Sequence, residues 1–163
     1  MEYLDIIDEN NEVIGNAPKA DIYSKKLSHR IVHVWLFNAK GELALQMQSA
    51  IKKFKPLHWC STAAGHVQSG ESLLDAGKRE LLEECEVDVP LELTQTIWYE
   101  GVDAPGLKKI IGLCEGTYAD PLVVKNIEVE KVEFFPIATI QKMIVNNDLL
   151  HPELVFLFQN RFH

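Results

Sequence analysis

Hydrophobic and polar residues alternate over several short stretches of the chain, a period that is typical of β-strands. These stretches are rich in β-branched and aromatic residues and are bounded by Asn, Asp, Gly or Pro. The predicted strands are Tyr3–Ile7, Glu12–Gly15, His29–Asn38, Glu42–Met47, Leu57–Ala64, Leu93–Glu100, Leu107–Tyr118 and Val129–Pro136. The turn Ala39-Lys-Gly41 predicts that the third and fourth strands form a hairpin.

Helical spacing of apolar residues is clearest in Glu71–Cys85. At about 100° per residue, four of its side chains fall on one stripe: Leu74, Gly77, Leu81 and Cys85. Ile137–Val145 and Pro152–Phe162 are also predicted to be helical, whereas Lys19–Leu27 fits either a short helix or an irregular segment. Strands combined with a few helices predict an α/β sandwich, in which helices flank a mixed sheet.

Composition and charge narrow the class of protein. The chain has 163 residues, of which 47% are hydrophobic and 25% charged, so we expect one globular domain over residues 1–163. The formal charge of −8 and the lack of a Lys/Arg cluster argue against a nucleic-acid polymer as partner. The three cysteines include no CxxC pair, which predicts reduced thiols. The apolar runs are short and no signal-peptide pattern occurs, so we expect a cytoplasmic protein without membrane association. We expect it to be a monomer or a homodimer.

Three carboxylates, those of Glu80, Glu83 and Glu84, lie three or four residues apart at the end of the predicted helix Glu71–Cys85. Like charges at this spacing destabilise a helix, and the helix dipole also disfavours negative charge in its last turn. A solvated acidic face is one explanation of such a cluster. A hard divalent cation bound by the carboxylate oxygens is the other.

The residues around these carboxylates favour the second explanation. The glycine-bracketed loop Gly65–Gly70 leads directly into the helix, where it can bring backbone groups close to a phosphate or a metal. Gly65 is followed by five residues, Glu71, seven residues, Arg79-Glu80-Leu81, one residue, Glu83-Glu84, one residue and Glu86-Val87. This spacing over residues 65–87 resembles the Nudix box, with one departure: Glu86 stands where the pattern has glycine.

The resemblance implies a Nudix-type α/β/α sandwich that hydrolyses a diphosphate (phosphoanhydride) linkage in a nucleoside diphosphate-type small molecule, with Mg²⁺ or Mn²⁺ as cofactor. It assigns metal binding to Glu80, Glu83 and Glu84, with the Gly65 carbonyl completing the shell. By the same resemblance, Glu83, Glu84 and Arg79 are catalytic, and Arg79 orients the carboxylates through a tie to Glu71.

Nudix enzymes often take a further catalytic glutamate from outside the box. Glu128 is the predicted general base and Glu130 the next candidate, although an exposed strand face explains both equally well. Three aromatic residues could stack on a nucleobase or could belong to the core: Trp59, Trp98 and Tyr99.

Three further stretches resemble the isopentenyl-diphosphate isomerase-like branch of the same family: Asp5–Gly15, His29–Leu43 and Ala64–His66. The isomerases carry a catalytic cysteine where this chain has Ala64, and Cys60 would lie about 13 Å away along one strand. They also use a Glu-x-Glu pair on a later strand, where this chain reads Leu107-Lys-Lys-Ile-Ile-Gly-Leu113.

His29 and His66 fill two isomerase metal positions, but histidines at such places also serve as structural hydrogen-bonding groups. The sequence therefore predicts a hydrolase. Two alternatives are an isopentenyl-diphosphate delta-isomerase and a non-catalytic nucleotide-binding sensor.

Overall fold

The structure is a computed structural model that describes residues 1–124 and 126–162. In chain order its elements are β1 (Tyr3–Ile7), β2 (Val13–Pro18), α1 (Lys19–Ser24), β3 (His29–Phe37), β4 (Leu43–Gln48), β5 (Trp59–Cys60), β6 (Ala63–His66), α2 (Leu73–Cys85), β7 (Glu92–Glu100), β8 (Lys108–Thr117), β9 (Val129–Phe135), α3 (Ile137–Val145) and α4 (Pro152–Arg161). Within these residues, no helix has the length and apolar character that crossing a membrane requires.

The strands form two sheets. β1 and β2 make a small antiparallel pair, and the other seven strands form one mixed sheet with the order β5-β4-β3-β8-β7. In addition, β6 pairs with β3 and β9 pairs with β4. β3 runs parallel to β8, from His29 opposite Lys109 to Phe37 opposite Thr117, whereas the other strand pairs are antiparallel. The mixed sheet of the prediction is confirmed.

Helices cover both faces of the large sheet. Successive side chains of a strand point to opposite faces, so neighbouring residues of β3 contact different helices. On one face, Trp35 of β3 packs in a cluster with Ile140 of α3 and Phe158 of α4. On the other face, Val34 of β3 packs in a cluster with Leu81 of α2. Helices on both sides of a mixed sheet make this an α/β/α sandwich, as predicted. All three cysteines are buried free thiols: Cys60, Cys85 and Cys114.

The single strand predicted at Leu57–Ala64 is wrong. Cys60 of β5 pairs with β4, whereas Ala63 and the rest of β6 pair with β3, so the chain crosses from one neighbour to the other in between. The buried Thr62 hydroxyl occupies the crossing, accepting a hydrogen bond from the Leu36 N–H at 3.0 Å and donating to the Ala44 carbonyl at 2.6 Å. An estimate of the Cys60–Ala64 distance along one strand therefore does not apply.

The predicted β3–β4 hairpin is only partly correct. Its turn is present, since the Asn38 N–H donates to the Glu42 carbonyl at 3.0 Å, but only Phe37 and Leu43 are paired before the strands diverge. The hydrophobic pattern predicts both strands correctly but does not predict which strands they pair with.

Helix α2 begins and ends within two residues of its predicted bounds. Ser72 caps its start by accepting a hydrogen bond from the Asp75 N–H at 3.0 Å. At its end, Glu86 adopts the left-handed conformation, with φ 55° and ψ 34°, and donates its N–H to the Leu82 carbonyl. This is the conformation that glycine adopts most easily, which explains why glycine is usual at this position of the box.

Candidate functional site

A cavity of about 1230 Å³ opens beside the end of α2. Its wall includes Arg79, Glu80, Glu83 and Glu84 from α2, together with residues of β6, β7, β8 and the start of α4. The end of β4 at Gln48 and the loops at 51–54 and 101–107 also contribute to the wall. The structure therefore brings the predicted carboxylates to one concave surface large enough for a nucleotide-sized ligand.

The Glu84 carboxylate is largely enclosed by the protein. One of its oxygens, Oε2, accepts hydrogen bonds from the Ala64 N–H and from the Gln46 side-chain amide, both at 3.1 Å. Burial and the nearby charge of Glu80 raise the pKa of Glu84 to about 8, although both hydrogen bonds oppose this shift. The surroundings of Glu84 thus disfavour the charged form of its carboxylate.

Glu80 lies against the backbone of Gly65. A β-carbon at position 65 would overlap the Glu80 carboxylate, so the absence of a side chain there allows the close approach of helix and strand. Burial raises the pKa of Glu80 to about 7, even though Arg79 acts in the opposite direction. Gly65 is therefore required by the geometry of this carboxylate.

Arg79 connects the acidic residues of the box to one another. Its guanidinium donates to both carboxylate oxygens of Glu71, at 2.7 and 2.9 Å, so the predicted tie between these residues is present. It also donates to Glu80 at 2.8 Å, to Glu83 at 3.4 Å and to the His66 carbonyl at 3.0 Å. These hydrogen bonds fix the β6 loop against the helix.

The oxygen ligands available at this end of α2 are of the kind that magnesium prefers. Within residues 1–124 and 126–162, no three His, Cys, Asp or Glu side chains are grouped so that they could hold a metal ion by themselves. Glu80 and Glu84 nonetheless place two carboxylates of raised pKa beside the backbone of Gly65, whereas Glu83 is 55% exposed. Magnesium keeps several waters and uses only one or two carboxylates, so this partial shell fits it.

The two candidates for a general base occupy different positions. Glu128 lies in the loop before β9, lines the cavity, and its side chain is 3.5 Å from Lys52 Nζ and 60% exposed. Glu130 is exposed on β9 and does not belong to the cavity wall. Only Glu128 is therefore placed where a base could reach the contents of the cavity.

The histidines form part of an aromatic cluster near the cavity. The Tyr23 hydroxyl forms a hydrogen bond with His66 Nε2 at 2.5 Å, and the His66 ring stacks on the His29 ring with centroids 5.7 Å apart. Burial lowers the pKa of His29 to about 4 and that of His66 to about 3, so both are neutral at pH 7. The structure thus shows His66 in a structural hydrogen bond.

Of the three aromatic candidates for stacking, only Tyr99 lines the cavity. Trp59 packs edge-on against Phe135, with ring centroids 4.9 Å apart, and Trp98 lines a separate cavity on the opposite face of β7. Alternation along the strand separates Trp98 from Tyr99.

The sequence prediction missed a group of polar residues in the cavity wall and behind it. Lys109 Nζ lies 2.6 Å from Glu153, and Glu153 also accepts a hydrogen bond from His33 Nε2 at 3.1 Å. His33 Nδ1 is 2.6 Å from the Ser61 hydroxyl, which accepts a hydrogen bond from the Trp35 indole at 2.9 Å. A histidine between apolar residues in His29–Phe37 was the only sequence signal for this group.

Comparisons of the sequence with known proteins agree on one family. A family model for the NUDIX domain matches residues 27–154. An uncharacterized Nudix hydrolase from Nostoc sp. is 40% identical over 100 residues, which are 61% of this chain and 59% of that protein. A protein from Photorhabdus laumondii named isopentenyl-diphosphate delta-isomerase 2 is 36% identical over 101 residues, covering 62% of this chain and 57% of that protein.

Solved structures show the same fold. A crystal structure from Deinococcus radiodurans superposes with a TM-score of 0.84 at 21% identity, covering 99% of this chain and 100% of the other. The NUDIX domain of Shewanella oneidensis NrtR, complexed with ADP ribose, superposes with a TM-score of 0.63 at 18% identity, covering 88% and 96%. With the family model matching most of its length and the box residues gathered at one cavity, this chain belongs to the Nudix family.

Proposed function

We propose that this chain hydrolyses a diphosphate linkage in a nucleoside diphosphate-type small molecule, with Mg²⁺ or Mn²⁺ as cofactor. The observation that carries the proposal is the pair Glu80 and Glu84, held by Arg79, Gln46 and the β6 backbone at the wall of a nucleotide-sized cavity. Both carboxylates have raised pKa values, and a divalent cation would offset their repulsion.

The chain's own residues would divide the work as follows. Glu80, Glu84 and the Gly65 carbonyl would hold the metal, with Glu83 joining from the rim, and Arg79 would keep Glu80 in place. The metal supplies neutralisation of phosphate charge and a water of lowered pKa. Glu128 would take the proton of the attacking water, because it faces the cavity.

Isomerisation of isopentenyl diphosphate is the second candidate, because one relative bears that name. The Ala64 side chain has no acidic proton to donate, and the Ala64 backbone N–H donates a hydrogen bond to Glu84. Cys60 is 4% exposed, and burial raises the pKa of its thiol well above the usual range. By the resemblance to the isomerases, their Glu-x-Glu pair would fall around Lys108 and Lys109, and here Lys109 is paired with Glu153. The site therefore favours hydrolysis.

The discriminating experiment incubates the protein with nucleoside diphosphate sugars, ADP-ribose, nucleoside triphosphates and isopentenyl diphosphate, with Mg²⁺ or with EDTA. Hydrolysis of at least one nucleotide that needs Mg²⁺, and that Glu84→Gln abolishes, supports the proposal. Glu130→Gln, outside the cavity, is the matched control and should keep its rate. Binding of a nucleotide without turnover would instead identify a sensor.

A further inference from the structure

One part of the cavity wall has no place in the proposed hydrolysis. It consists of Lys109 from β8 and Glu153 from the start of α4, which lie 2.6 Å apart. Their side chains are only 14% and 13% exposed, so most of each is enclosed by protein. An ion pair enclosed in a ligand cavity costs desolvation, and solubility does not require it.

The charges in this part of the wall cancel. Lys109 is paired with Glu153, and Lys19 at the rim lies 3.9 Å from Glu2. The neighbouring histidines are engaged within the protein: His66 Nε2 lies 2.5 Å from the Tyr23 hydroxyl, and His151 Nδ1 accepts a hydrogen bond from the Glu153 N–H at 3.2 Å. A second phosphate would find no excess positive charge here, and a cation would find no excess negative charge. The wall suits an uncharged polar group.

The donors and acceptors narrow the choice further. An ammonium group has three N–H donors, of which Glu153 takes one, and a carboxylate has about four acceptor positions. A hydroxyl group both accepts and donates, so two adjacent hydroxyls can bridge the ammonium and the carboxylate. The Tyr99 ring, whose centroid is 5.9 Å from Lys109 Nζ, adds an apolar surface beside the pair. A sugar with neighbouring hydroxyls has this combination of properties.

Behind the pair, a buried chain of hydrogen bonds holds Glu153 in position. The Trp35 indole donates to Ser61, Ser61 hydrogen-bonds to His33, and His33 Nε2 donates to Glu153. Burial by itself would raise the pKa of Glu153, but the hydrogen bond from His33 and the charge of Lys109 hold it below its usual range. The carboxylate is thus ionised and oriented before a ligand arrives.

We propose that Lys109 and Glu153 bind the adjacent hydroxyls of a ribose, so that they select ribonucleotides among possible substrates. This assignment rests on the proposed function for the nucleotide class, but not on turnover. Ser61 is fully buried, so Ser61 and His33 act as positioning residues through Glu153.

The test measures binding of uncharged nucleosides in EDTA, which separates this part of the wall from the metal and from catalysis. Adenosine, guanosine, cytidine and uridine are each compared with their 2′,3′-dideoxy counterparts by NMR titration. For at least one base we expect the ribonucleoside to bind the wild-type protein roughly 10- to 100-fold more tightly, as for hydrogen bonds to charged groups. Equal affinities for every base, or no binding, would overturn the proposal.

Variants then show whether Lys109 and Glu153 cause the difference in affinity between ribonucleosides and dideoxynucleosides. Lys109→Met and Glu153→Gln should each bring the affinity ratio close to one. The double variant K109M/E153Q should do the same while restoring the charge balance, and it decides the matter where a single variant fails to fold. Lys108→Met is the matched control, because Lys108 lies on the opposite face of β8 and lines the other cavity. A wild-type ratio in the double variant, or a lost ratio in Lys108→Met, refutes the assignment.

The two proposals fail separately. Discrimination between the nucleosides without any nucleotide hydrolysis would overturn the proposed function and leave the ribose assignment standing. Hydrolysis with equal affinity for ribose and dideoxyribose would do the opposite.

Discussion

Replacing Glu84 by Gln is expected to stabilise the metal-free protein at pH 8 and to change its stability little at pH 5. The substitution removes the charge, while the new side-chain oxygen can keep both hydrogen bonds, from Ala64 and from Gln46. A carboxyl with a raised folded-state pKa contributes stability that is fully present below its unfolded pKa. That stability is lost as pH rises from the ordinary value of 4.5 through the folded value of about 8. Gln cannot ionise and avoids this loss.

The size of the effect follows from the shift. One pKa unit corresponds to about 1.4 kcal/mol, so a rise from 4.5 to about 8 gives an upper limit near 4–5 kcal/mol. Relaxation and water entry around a partly buried group reduce this to roughly 2–4 kcal/mol, since an effective dielectric near 20 describes such sites. For a chain of this size, the melting temperature at pH 8 should rise by roughly 4–16 °C.

The assay is thermal unfolding of wild type and Glu84→Gln in EDTA at pH 5 and pH 8, repeated with Mg²⁺. Added Mg²⁺ should raise the melting temperature of the wild type but not that of the variant, which should also lack hydrolase activity. Glu83→Gln is the matched control, because Glu83 is on the same helix but 55% exposed, and its metal-free stability should hardly change. An equal gain at both pH values, or no gain at pH 8, would show that Glu84 is not a strained carboxylate.

Three other outcomes are expected. Gly65→Ala should lower the free energy of unfolding by about 1–3 kcal/mol and weaken Mg²⁺ binding, because the new methyl group overlaps the Glu80 carboxylate; calorimetry that finds neither change contradicts this packing. Glu86→Gly should raise the free energy of unfolding by about 0.5–1 kcal/mol by relieving the left-handed conformation, whereas Glu86→Ala should not, and equal urea midpoints for the two would argue against strain at this position. Incubation with isopentenyl diphosphate and Mg²⁺ should give no dimethylallyl diphosphate by NMR, and catalytic formation of that product would return the chain to the isomerases.

The sequence contained most of the local structure. β1 matches its predicted bounds, α2 ends at the predicted residue, and the spacing from Gly65 to Val87 identified the family. These features depend on residues close together in the chain, where hydrophobic period and motif spacing act directly.

The features that were missed depend on residues far apart in the chain. Lys109 and Glu153 become neighbours only because β8 and the start of α4 meet at one cavity, and no local pattern records that meeting. The break between β5 and β6 has a similar origin, since the Thr62 hydroxyl joins backbone groups of two other strands. Gln46, a polar residue within the apolar run of β4, was a signal that the sequence did offer for the environment of Glu84.

The parallel pairing of β3 with β8 has a consequence for how the chain folds during synthesis. His29 pairs with Lys109, so the central strand waits for about 80 further residues before its parallel partner exists. At about 5–20 residues per second, that interval is roughly 4–16 s on the ribosome, during which the edge of β3 that later pairs with β8 has no strand beside it. Such non-local pairing slows folding, because the chain loses the entropy of closing a long loop before the stabilising contacts form. The nascent chain is therefore exposed to aggregation until the eighth strand has emerged.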